Sequence, residues 1–176
     1  KEIRKESTDF YNRIAEIKSK ITADRIEDDP ELKKYSEMDK GEQLDLIFFN
    51  SSGLSEEGKE FIEQINNYRM RVIQVFASQY PQYTELVEER FFSGDLEGNV
   101  TNSDNQPQSW LSYNFEGFPL ISSLAKLTMM QNDIRLTETD VLNALLGKEL
   151  EAGSRVNKDN YISLLKTEKG AYYQGE

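Results

Sequence analysis

Large apolar residues recur at Ile3, Phe10, Ile14, Ile17 and Ile21, spaced by seven, four, three and four positions. That rhythm constrains the fold more than any other feature, because it is the spacing of a narrow helix seam and fits no strand. The spacing predicts a helix from the first residue to about Glu27, stopped by Asp28-Asp29-Pro30. A shorter helical stretch follows Pro30 through Leu32 and Tyr35, and the pattern returns at Leu44, Ile47 and Phe48. Asn50-Ser51-Ser52-Gly53 then breaks it.

Ser55 reads as an N-cap, with Glu56 and Glu57 where the helix dipole favours acids. Behind it Phe61, Ile65, Tyr68, Val72, Val75 and Gln79 mark one face, widened by Ile62, Ile73 and Phe76. Tyr80-Pro81 ends this helix, and a short one runs through Leu86 and Val87 to Phe91. Residues 93–118 read as irregular, and the cluster Trp110, Tyr113, Phe115 and Phe118 is expected to glue that segment to the helices. Pro119 suits a first helical position. Leu120, Leu124, Leu127, Ile134, Val141 and Leu145 continue the seam, interrupted by polar Gln131 and Glu138, until Gly147 or Gly153 closes the helix. Tyr161 to Leu165 and Ala171-Tyr172-Tyr173 read as strands.

The expected fold is therefore mainly α: an antiparallel bundle of about five helices over residues 1–153. A strand-like segment, 154–176, is expected to open a following β-rich domain. Ile14, Ile17, Ile21, Phe61, Ile65, Val72, Leu124, Leu127, Ile134 and Val141 are the expected core, with no site among them.

Composition narrows the function. The 176 residues contain no Cys and no His, which removes disulfides, thiol chemistry and every His-based triad or metal set. The net charge of −11 argues against nucleic acid. Residues 1–26 run against the trend, with seven basic and five acidic side chains. This suits solvated helix charge, and also closeness to an anionic membrane surface. No stretch approaches the roughly 20 apolar residues of a membrane span.

Three fragments imitate a serine-acylase set: Ser123-Leu124-Ala125-Lys126, Ser103-Asp104-Asn105 and Lys166-Thr167-Glu168. Their order is wrong and the last lacks its glycine, so Ser122, Ser123 and Lys126 are better read as the solvent face of their helix. Counting a calcium loop from Asp95 puts Val100 where glycine is required and Gln106 where a bidentate glutamate is required. Asn50-Ser51-Ser52 and Asn99-Val100-Thr101 are formal sequons that also occur by chance. No catalytic, cofactor-binding or metal-ligating residue is assigned, and no enzyme activity or cofactor is expected.

Gly117-Phe118-Pro119-Leu120-Ile121, Leu127-Thr128, Gln131-Asn132-Asp133-Ile134-Arg135, Glu138 and Val141-Leu142-Asn143 together resemble the GldM/PorM family of gliding-motility and type IX secretion proteins of the Bacteroidetes. The tail Lys169 to Glu176 is similar to the opening of that family's next domain. The resemblance implies a helical first periplasmic domain behind a transmembrane helix upstream of Lys1. It implies a homodimer in the full-length protein, and a GldL-like inner-membrane partner with which it forms a proton-driven motor. It further implies contacts with other periplasmic secretion components. The domain's part would be structural, carrying force outward from the inner membrane. The rival reading is a periplasmic four-helix ligand sensor on a membrane anchor.

Overall fold

The computed structural model describes residues 2–22, 44–95 and 98–172, with side chains described through Lys148. The expected end of the first helix near Glu27 and the helical stretch through Leu32 and Tyr35 lie outside the described residues. The chain divides into two compact units, Lys1–Glu138 and Thr139–Glu176.

In the first unit, α1 spans Glu2–Thr22 and buries Ile3, Ser7, Phe10, Ile14, Ile17 and Ile21, the expected seam with one serine added. A single turn, α2 (Asp45–Phe48), leads into a minimal hairpin of β1 (Phe49–Asn50) and β2 (Gly53–Leu54). The Asn50–Gly53 segment read as a breaker is its turn: Asn50 Oδ1 accepts from Ser52 N at 2.8 Å.

Helix α3 (Glu56–Val72) starts where the cap chemistry says it should. Ser55 Oγ accepts from Gly58 N at 3.0 Å and donates to the Ile47 carbonyl at 2.5 Å, so one side chain caps α3 and ties it to α2. Gly58 is required by contact. A Cβ there would lie 2.5 Å from the Phe48 carbonyl oxygen, so only hydrogen lets the two helices meet.

A π-helical turn, Ile73–Ala77, follows α3 and corrects the expected face. It inserts one residue into the helical repeat, so Phe76 and Ala77 are buried while Val75 is half-buried and Gln79 is exposed. Tyr80 and Tyr83 pack on Phe76 with ring centroids 5.1 and 5.0 Å away. A 3-10 turn at Pro81–Tyr83 leads into α4 (Thr84–Arg90), whose Val87 and following Phe91 are buried, as the pattern to Phe91 predicted.

The segment read as irregular contains a real hairpin, β3 (Asn99–Thr101) against β4 (Pro107–Ser109), and a short helix, α5 (Trp110–Phe115). Strands of three residues are too short to show the alternation that reveals a strand in sequence. The aromatic cluster does fasten this segment. Phe115 is fully buried with its ring 5.9 Å from that of Phe48, and Trp110 packs edge-on against Phe115 at 6.0 Å. Tyr113 takes no part, being half exposed.

The last helix, α6, spans Leu120–Tyr172. Pro119 sits just ahead of it, its carbonyl accepting from Ser122 N and Ser123 N. Neither Gly147 nor Gly153 ends the helix, and the strands expected at Tyr161–Leu165 and up to Tyr172 are helical backbone instead. Short apolar runs fit either period, and a mid-helix glycine costs only about 1 kcal/mol. Leu120, Leu127 and Ile134 are buried as expected, whereas Leu124 and Val141 are half-buried. In the second unit Leu142, Leu145 and Leu146 are exposed, so the expected seam does not reach Leu145.

In the first unit the core is continuous. Rings of Phe91, Tyr68, Phe10, Phe61 and Phe48 follow one another at 4.8, 5.3, 6.3 and 5.0 Å, joining α4, α3, α1 and α2. No helix among the described residues is long and apolar enough to cross a membrane.

Candidate functional site

The α6 seam reads Leu120, Ser123, Leu127, Gln131, Ile134 and Thr137, every one of them buried. Three of these six are polar, and how each is satisfied decides what the interface can do. Gln131 is best served. Its Nε2 donates to the Tyr11 carbonyl at 3.1 Å and its Oε1 accepts from Lys18 Nζ at 3.1 Å. Lys18 Nζ also donates to Thr128 Oγ1 at 2.8 Å. Arg135 completes the group, its guanidinium 4.3 Å from the Tyr11 ring centroid while it donates to Glu138 at 2.7 Å. The pairing of Tyr11 with Arg135 and Lys18 with Thr128 makes α1 and α6 antiparallel. These contacts fix one axial register, because a slide by one turn would bury the Gln131 amide without acceptors.

Thr137 is the next polar seam residue. Its hydroxyl donates to the Asp133 carbonyl at 2.9 Å and accepts from Arg90 Nη1 at 3.1 Å, which holds α4 to α6. Burial raises the Asp133 carboxyl above its ordinary value, and Arg90 partly offsets this. Glu138, expected as the second seam interruption, is instead half-buried and paired with Arg135.

The α1–α3 contact is laced by charge. Arg13 and Lys20 of α1 both reach Glu57, at 3.1 and 2.7 Å. From α3, Arg71 pairs with Glu2 and with Glu6, the latter at 3.3 Å. Between these ends Ser7 Oγ and Tyr68 Oη share a buried hydrogen bond of 2.8 Å. Burial pushes the Tyr68 phenol up to about 12, although the bond from Ser7 acts the other way. The ion pairs are partly exposed, so each contributes at most about 1 kcal/mol.

Among the described residues, the fragments that imitate an acylase set do not form one. Ser123 is buried, not on the solvent face, because the seam steps through its small side chain and turns Leu124 aside. Its hydroxyl makes no hydrogen bond among the described residues. Lys126 points elsewhere: its ammonium donates to the Asn114 carbonyl and lies 3.7 Å from the Phe118 ring centroid. Burial lowers its pKa. Ser103, Asp104 and Asn105 form the β3–β4 turn, where Asn102 Oδ1 accepts from Asp104 N and Gln106 N and Asn105 adopts a φ of 57°. The Asp95 carboxylate accepts from Asn99 N at 2.9 Å, a turn cap. The side chain of Lys166 lies outside the described residues.

Sequence reasoning singled out Gln131 as a polar interruption but not its partners. Lys18, Tyr11, Arg90 and Thr137 carry no local signal, since their roles arise from helices distant in the chain. Over residues 1–148 the chain matches the family model described as GldM N-terminal domain. No curated protein matches it significantly.

Proposed function

The chain belongs to the GldM N-terminal domain family and is a component of the gliding-motility and type IX secretion machinery; from that premise we propose that it is a force-transmitting periplasmic strut. The observation that carries this reading is the Gln131 lock, which holds α1 and α6 antiparallel at one register. Two helices that can neither slide nor separate convert a displacement of one into a displacement of the other. Side-chain packing alone resists separation; buried polar contacts of fixed geometry also resist sliding. In this reading the full-length protein is a homodimer, driven by a GldL-like inner-membrane partner and passing motion to outer periplasmic components. In this reading the domain itself performs no chemistry: Ser123 is buried, and the Lys126 ammonium is held by the Asn114 carbonyl and the Phe118 ring.

The test is Gln131→Ala in the full-length protein, in cells. Assembly is followed by co-purification of the membrane partner, and output by secretion rate and gliding speed. The expected outcome is normal assembly with reduced output. Normal output from a protein whose isolated domain is measurably loosened would sink the proposal.

A further inference from the structure

Among the described residues, charge pairing along the α1–α3 interface is interrupted beside Asp9. Reading along α1, Glu2 and Glu6 are met by Arg71, while Arg13 and Lys20 meet Glu57. Asp9 lies between the two sets. It has no cation and no side-chain hydrogen bond among the described residues, because the α3 positions beside it are Gln64 and Asn67 and not basic residues. A groove of about 190 Å³ opens at this point. Each helix lines it with the same pattern at i, i+3 and i+4: Glu6, Asp9 and Phe10 from α1, and Gln64, Asn67 and Tyr68 from α3.

The chemistry of the lining is specific. The floor includes the packed Phe10 and Tyr68 rings, 5.3 Å apart and fixed in the core at 5% and 3% exposure. The rim holds one uncompensated carboxylate and two carboxamides that make no hydrogen bond among the described residues. An apolar stem laid against these rings, ending in several divergent donors, satisfies all of these at once. A guanidinium offers five N–H donors in a planar fork that suits both a carboxylate and amide oxygens. An ammonium would serve the carboxylate but has fewer donors for the amides. The volume is enough for one long side chain. The chain's own Arg71 already bridges two α1 carboxylates one turn away, which is the same recognition supplied from within.

We infer that this groove receives an arginine side chain from a protein partner, completing the charge ladder between α1 and α3. The Asp9 carboxylate, without a cation among the described residues, supplies the charge complementarity for a basic side chain at this point. The inference stands independently of the force-transmission reading.

The test uses the full chain and N-acetyl-arginine amide, with the citrulline and lysine counterparts as neutral and ammonium controls, followed by amide NMR. The arginine compound is expected to shift the Gln64 and Asn67 side-chain amides and the Asp9 and Phe10 backbone amides saturably, with a Kd on the order of millimolar. Lysine should bind more weakly and citrulline should leave these signals in place. Asp9→Asn, an exposed substitution, should weaken the arginine titration by about tenfold. Equal shifts with citrulline, shifts elsewhere only, or a titration unaltered by Asp9→Asn would each overturn the inference. So would shifts of the same signals on concentrating the chain alone, which would put a second copy in the groove.

Discussion

Gln131 of α6 donates its side-chain amide to the backbone carbonyl of Tyr11, 3.1 Å away on α1 and 120 residues earlier in the chain. This bond links the ends of the bundle's sequence across its buried seam. Together with the bond from Lys18 it makes Gln131 the residue that sets register between the two helices.

Gln131→Ala should therefore lower stability by about 2 kcal/mol, from two lost hydrogen bonds and the space left behind. Gln131→Leu should cost less, because it refills the seam. Urea denaturation at neutral pH measures both, and an unchanged midpoint for the alanine variant would show that the polar contacts contribute nothing.

Ser123 presents the opposite case, a buried hydroxyl without a hydrogen-bond partner among the described residues. Ser123→Ala should stabilise the domain by about 1 kcal/mol, since it removes a desolvated polar group and improves helix propensity. Thermal unfolding should register this as a higher Tm. A lower Tm would mean that the hydroxyl has a partner after all.

Gly58 lies against the Phe48 carbonyl, with no space for a methyl group. In an open helix Gly→Ala gains up to about 1 kcal/mol. Here Gly58→Ala should instead cost about 1–3 kcal/mol, because α2 and α3 must move apart. Gly147, also helical, meets nothing within 4 Å, so Gly147→Ala should not destabilise. Chemical denaturation of the two variants side by side checks the contrast.

Tyr68 should make stability fall at alkaline pH. Its folded-state pKa is raised from 10.0 to about 12 by burial. The folded chain thus keeps a proton that the unfolded chain releases, so the contribution is complete below pH 10 and lost progressively between 10 and 12. At about 1.4 kcal/mol per pKa unit, the loss approaches 3 kcal/mol. Tyr68→Phe should remove that slope while costing about 1–2 kcal/mol at neutral pH, where Ser7 loses its partner. Stability profiles of both proteins that run parallel from pH 9 to 12 would contradict this.

Much of the architecture was legible because helices announce themselves by period. Ile14, Ile17, Ile21, Phe61 and Ile65 are all buried as their spacing requires, and Ser55 caps α3 as its position implies. Errors arose where period and size disagree. Ser123 is buried because it is small, while the larger Leu124 beside it is only half-buried. The face after Val72 slipped because a π turn adds a residue that no spacing rule anticipates. The β3–β4 hairpin was invisible because three residues cannot display alternation.

What the sequence by itself determined is the helical class, the main seams, the capping of α3 and the family. Each of these is written in neighbours a few positions apart. Tertiary structure alone decided that Gln131 meets Tyr11 and Lys18, that Arg71 meets Glu6, and that Asp9 is left facing a groove. Those pairings depend on the register and rotation of helices separated by tens of residues, and packing of the whole core sets them.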